Sequence, residues 1–234
     1  GYKMSLDRTK VDPELGLKVR NHLILKGVET PFDETTINMD SKKKISIIED
    51  HMNQIGKILG YDLTDDSFKD TPNRFAKMQV LDLNWGLRTD NFPKCTTVEN
   101  KMKYDEMVIE RGIKVMSQCE HHIQTIDGKA IVAYIPNEKV LGLSKINRVV
   151  DYFSRRLQIQ ERLTEQVYHA LSFILGTDNI AVMIDAEHYC VRARGIEDTN
   201  SRTVTSKLGG VFKDSSSNAR GEFLSIANQS ITKI

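Results

Sequence analysis

The chain has 234 residues, with 33 lysines and arginines against 32 aspartates and glutamates, a formal net charge of +1. So even a balance excludes the broad basic surface that draws proteins to nucleic acid, and any anion site must come from a local cluster. The composition is that of an ordinary globular protein, and no apolar run approaches the roughly 18 residues of a spanning helix, so no membrane location is expected.

Gly1, Tyr2 and Lys3 precede Met4 and read as a remnant of an expression vector. No basic segment followed by an apolar core and a small-residue cleavage site stands at the start, so the cytoplasm is the expected compartment. Cys95, Cys119 and Cys190 are odd in number and widely spread, which suits reduced thiols better than a disulfide framework.

Residues 12–26 and 41–59 read as helices. In the second, Ile45, Ile48, Met52, Ile55 and Leu59 recur at the spacing of one helical face. Gly27 and Gly60 fall where these helices should stop. Residues 29–40 contain Thr30-Pro31 and little periodicity, and are expected to be a loop that lets the first helix swing away as an arm onto another subunit. Thr71-Pro72 opens a third helix, expected to run through Phe75 and Met78 toward Trp85 and stop at Gly86.

From Met107 the period shifts toward two. Residues 129–135 and 179–185 read as strands. Between them, residues 144–156 carry Ile146, Val149, Val150 and Phe153 on one side, and residues 160–175 carry Leu163, Val167, Leu171 and Ile174 on one face. Residues 218–226 read as a last short helix. The order of elements predicts an α+β fold with paired helices on one face of an antiparallel sheet, preceded by N-terminal helices.

The densest chemical signal is Cys119-Glu120-His121-His122, at the expected end of a strand. A cysteine and a histidine three apart can both reach one ion, and thiolate and imidazole are the ligands zinc prefers. A third ligand must come from elsewhere, and His188-Tyr189-Cys190 after the later strand supplies both types. Cys119, His122 and Cys190 with a fourth position left to water make the form of a catalytic site, one Zn2+ per subunit. His121 and His188 then stand beside the metal, available to move protons.

A second constellation is basic. Ser144, Lys145 and Arg148 open one helix, and Arg192 and Arg194 follow the second metal cluster. Such groups at a helix N-terminus favour a polyphosphate. No G-x-x-x-x-G-K-[ST] loop is present, so side chains would have to hold it. In Gln160-Glu161-Arg162, the Glu161 carboxylate has the two acceptors that the N1–H and 2-amino edge of guanine requires. The H-x-E with a distant P-C-x-x-C of the zinc base deaminases is absent.

Together these motifs resemble the GTP cyclohydrolase I family. The resemblance runs from about Gly27 to Phe223, through Thr71-Pro72-Asn73-Arg74, Cys119-Glu120-His121-His122, Gly142-Leu143-Ser144-Lys145, Gln158-Ile159-Gln160-Glu161-Arg162-Leu163-Thr164, His188-Tyr189-Cys190 and Leu208-Gly209-Gly210. It implies the tunnelling fold, a toroidal homo-oligomer assembled as a decamer of two pentamers with active sites between subunits, and GTP as substrate. The chain as a whole is read as an N-terminal helical arm at residues 4–60, of which the part before Gly27 matches the family poorly, followed by a catalytic domain at residues 61–234. The resemblance places zinc on Cys119, His122 and Cys190, acid/base work on His121 and His188, and a ribose-side hydroxyl at Ser144. Glu161 with Gln160 beside it would hold guanine, and Arg74, Lys77, Lys145, Arg148 and Arg194 the triphosphate. The implied reaction opens the guanine imidazole ring, releases formate and yields dihydroneopterin triphosphate. Another tunnelling-fold pterin or purine enzyme, or a zinc-stabilised nucleotide-binding module, are the alternatives.

Overall fold

The structure is a computed structural model and describes residues 6–231; the residues read as a vector remnant lie outside that span. Helix α1 covers Pro13–Leu25, with Asp12 accepting from the Leu15 N–H and proline in the first turn. Helix α2 covers Ser41–Ile58, capped by Asp40, and α3 covers Thr71–Lys77. Instead of continuing to Trp85 as expected, the chain widens after α3 into a π-helical turn, Met78–Leu83. The Asn84 side chain donates to the Gln79 carbonyl five residues back at 3.0 Å, which holds that wider turn closed.

The central sheet has five strands in the order β5-β2-β3-β6-β7, formed by β2 (Val108–Cys119), β3 (Thr125–Tyr134), β5 (Leu157–Gln158), β6 (Ile180–His188) and β7 (Thr203–Leu208). It is antiparallel from β2 to β7, but β5 pairs parallel to β2 through Gln118 with Leu157 and Cys119 with Gln158. The strands β1 (Thr97–Glu99) and β4 (Lys139–Leu141) make a separate antiparallel pair. The long strands alternate as a pleated surface must. Ile126, Val132, Val182 and Ile184 enter one core, and Ile131, Ala133, Ala181 and Met183 enter another.

Helices α4 (Leu143–Ser154) and α5 (Gln160–Leu175) cover the first face, with Val149, Val150, Leu163, Val167 and Leu171 buried against it. Gly176 ends α5 in the left-handed region at φ 67°. The second face is also covered, which departs from the expected one-sided arrangement. There Phe212, and Phe223 and Ala227 of α7 (Asn218–Ile231), pack on β3 and β6. A short helix, α6 (Tyr189–Arg192), follows β6 directly. The mixed architecture is α+β. Among the described residues no helix is long and apolar enough to cross a membrane.

The first helix is not a free arm. Val19 and Leu23 of α1 are buried in the main core, and the following segment is tied down by charge. Glu29 pairs with Arg20 at 3.4 Å and with the buried Arg156 at 2.9 Å. It is α2 that stands out from the body. Its apolar Ile47, Ile55 and Ile58 are exposed, and its principal neighbour is α3.

Candidate active site

Because β2 and β6 both flank β3 and run antiparallel to it, their C-terminal ends lie at the same end of the sheet. That topology brings two distant motifs together. Cys119 closes β2, His188 closes β6, and Cys190 sits on α6. One ligand atom from each of Cys119, His122 and Cys190 lies within 4.8 Å of the others. These three residues could hold a metal ion.

The turn that presents His121 and His122 is fixed by several bonds. The Ile123 N–H donates to the Cys119 carbonyl at 2.8 Å, and the Cys119 N–H donates to the Gln124 carbonyl at 2.8 Å. Ile123 itself has φ 53°, a left-handed conformation that costs a β-branched residue energy and so must be imposed by these surroundings. Gln118 donates to the Ile123 carbonyl at 3.3 Å and accepts from Asn84 at 3.4 Å, linking the turn to the end of the π-helical segment. Glu120 points toward α5, where Arg162 donates to it at 2.6 Å.

Around the cluster, His121 Nδ1 is 3.7 Å from the Cys119 sulfur. The Arg194 guanidinium contacts His122 Nε2 at 2.9 Å. Burial pushes the Cys190 thiol up from its ordinary value, and the adjacent Cys119 side chain adds to the rise. A bound cation would reverse that balance, because it stabilises the thiolates. Burial also holds the half-buried His188 below the usual imidazole range, against the opposing pull of Glu161.

Thus Cys119, His121, His122, Cys190 and Arg194 meet at one end of the sheet, with His188 and the start of α5 alongside. Glu161 is exposed there. Gln160, expected to hold substrate, is 1% exposed, and its side-chain amide is engaged inside the protein by Ile184, Thr203, Thr205 and His188. The remaining expected residues sit on other elements. Ser144 is exposed at the start of α4, and Lys145 and Arg148 lie beside Cys95. Burial pushes the Cys95 thiol up to about 12, with those two cations acting against the rise. Arg74 and Lys77 are on α3, where exposed Arg74 pairs with Asp70 at 3.5 Å. Arg192 contacts Glu187.

Sequence reasoning missed the supporting residues Gln118, Glu120 and Arg162. The available signal was a carboxylate inside the Cys119–His122 motif and an arginine immediately after Glu161.

Residues 48–228 match the family described as GTP cyclohydrolase I. The chain is 55% identical over 206 residues to "GTP cyclohydrolase 1" of Escherichia coli O1:K1 / APEC, a match spanning 88% of this chain and 92% of that protein. Proteins of the same name from Escherichia coli (strain K12 / DH10B) and Shigella boydii serotype 18 (strain CDC 3083-94 / BS512) are similar to the same extent, 55% over 88% of this chain and 92% of theirs. With the Cys119–His122 and His188–Cys190 motifs brought together at one end of the sheet and a match of this extent, the chain belongs to the GTP cyclohydrolase I family.

Proposed function

We propose that this chain hydrolyses GTP at the guanine ring, opening the imidazole, releasing C8 as formate and yielding 7,8-dihydroneopterin triphosphate, the first step of tetrahydrofolate and pterin synthesis. The observation that carries this reading is the convergence of Cys119, His122 and Cys190 within 4.8 Å, with His121 beside the Cys119 sulfur.

The donor set suits zinc. Thiolate and imidazole are the ligands it prefers, and three such atoms within 4.8 Å of one another could close on one ion. Two thiolates and one imidazole leave a position open, and zinc, when bound there, supplies the acidified water that hydrolysis at an amidine carbon requires.

The protein's own groups do the rest. His188, its imidazole disfavoured as a cation by burial, gives up a proton readily and suits delivery to N7 of the purine. His121 and Ser144 serve the later ribose rearrangement. Glu161, exposed at the start of α5, accepts from the N1–H and 2-amino edge of guanine. Arg194, already at the metal cluster, binds triphosphate oxygens.

Arg74, Lys77, Lys145 and Arg148 complete the triphosphate site across a subunit boundary. The reading is of a tunnelling fold assembled as a toroidal decamer, residues 61–234 forming its catalytic domain. Support comes from the placement of these cations on elements other than those that form the cluster, and from the uncovered isoleucines of α2. The three free cysteines accord with a cytoplasmic location. Incubating the zinc-loaded protein with GTP and following formate together with pterin fluorescence tests the function. Formate and pterin should appear together, and GTP consumed without formate would refute it.

A further inference from the structure

We infer that Gln160 is a positioning residue that fixes the orientation and the neutral tautomer of the His188 ring. Gln160 opens α5, and its side-chain amide nitrogen lies 3.1 Å from the Ile184 carbonyl, 2.8 Å from the Thr203 carbonyl and 3.1 Å from the Thr205 hydroxyl. Backbone carbonyls only accept, so the NH2 end of the amide must point at them. A flipped amide would set its oxygen against both carbonyls in a buried site. The Gln160 Oε1 therefore faces His188 Nε2 at 2.7 Å.

An amide oxygen only accepts. His188 Nε2 therefore carries hydrogen in the neutral ring as well as in the cation. The surrounding hydroxyls agree. Thr164 donates to the Gln160 carbonyl at 2.9 Å, so the Thr205 hydroxyl, 2.8 Å from Thr164, donates to Thr164 and keeps a lone pair for the Gln160 amide. The two amide hydrogens share these three acceptors, and only Oε1 remains to face His188. Nδ1 is then the nitrogen of His188 that keeps its lone pair in the neutral ring. Gln160 acts through His188 and not on guanine.

The catalytic half of this inference rests on His188 being the proton carrier of the proposed reaction; the ring tautomer does not. The experiment uses zinc-loaded full-length protein with 15N-labelled histidine. Long-range 1H–15N correlation spectra are recorded with the histidines neutral, and His188 is assigned by its loss in His188→Ala. The Nε2–H pattern is expected for His188, and an Nδ1–H pattern in the wild-type protein would overturn the inference whatever the activity. Gln160→Met keeps the length and removes the acceptor. It should lower kcat about tenfold or more while KM for GTP stays within about twofold, the signature of a lost orienting contact to a working histidine. A raised KM at unchanged kcat would show Gln160 to be a base contact and would also overturn it. Absence of formate from the wild-type enzyme would strike at the reaction while leaving the tautomer standing.

Discussion

The Glu120 carboxylate accepts from Arg162 at 2.6 Å, so the turn that carries His121 and His122 is tied to the helix that begins with Gln160 and Glu161. The Glu120 N–H adds a second tie, donating to the Gln158 carbonyl at 3.0 Å. Groups proposed for the metal and for guanine are thereby held in register. Glu120→Gln should weaken zinc binding about tenfold, the usual cost of losing a support behind a metal ligand. Competition with a chelator measures it, and unchanged affinity would mean the pair only decorates the turn.

Arg194 contacts His122 from an exposed position. Arg194→Ala should leave zinc bound and impair use of GTP by roughly ten- to hundredfold in kcat/KM, from a charge-assisted contact of about 1.5–3 kcal/mol. Steady-state kinetics beside metal analysis reads both effects. Wild-type kinetics in this variant would remove Arg194 from the triphosphate site.

Leu23 is fully buried between α1 and the main core. Leu23→Ala should therefore destabilise the protein by about 2–5 kcal/mol, as large-to-small changes in a packed core do. Denaturant unfolding measures this. A loss near zero would restore α1 to the status of a detachable arm.

His22 of α1 packs its ring near His169 of α5, with centroids 6.1 Å apart, and burial lowers both below their ordinary 6.5. Lys26 depresses both further, Lys207 also lowers His169, and Asp178 and Glu165 oppose. A lowered imidazole means the unfolded chain binds protons more readily, so stability is full above the unfolded value and falls as pH drops toward the folded one. Melting curves should show a loss below about pH 6.5 that is smaller in His169→Gln than in the wild type. An equal pH dependence in the two proteins would show that this ring pair plays no part.

The cluster of Cys119, His122 and Cys190 was legible because Cys119 and His122 stand three apart and only one other segment offers both ligand types. Helices α2 and α5 were legible from their own periodicity. The docking of α1 was not, because the tie from Glu29 to Arg156 spans 127 positions. Strand β7 was not either. In Thr203-Val204-Thr205-Ser206-Lys207-Leu208 only Val204 and Leu208 are apolar, too weak an alternation to mark a strand, and the segment pairs with β6. The buried partners of Gln160 were not legible for the same reason, since Thr203 and Thr205 both belong to β7. The π-helical turn at Met78–Leu83 was not legible either, since no spacing of its apolar residues separates it from an α-helix; the Asn84 side chain bonds back to its Gln79 carbonyl.

The most direct measurement of the proposed chemistry is paired quantification of bound zinc and formate released from GTP, made on the wild type, His121→Ala and His122→Ala. The wild type should hold about one zinc per chain and release about one formate per GTP consumed. His122→Ala should lose the metal and the formate together, whereas His121→Ala should keep its zinc while turnover falls by about 10²–10⁴. Zinc retained by His122→Ala but lost by His121→Ala, or GTP consumed by the wild type without formate, would contradict the assignment.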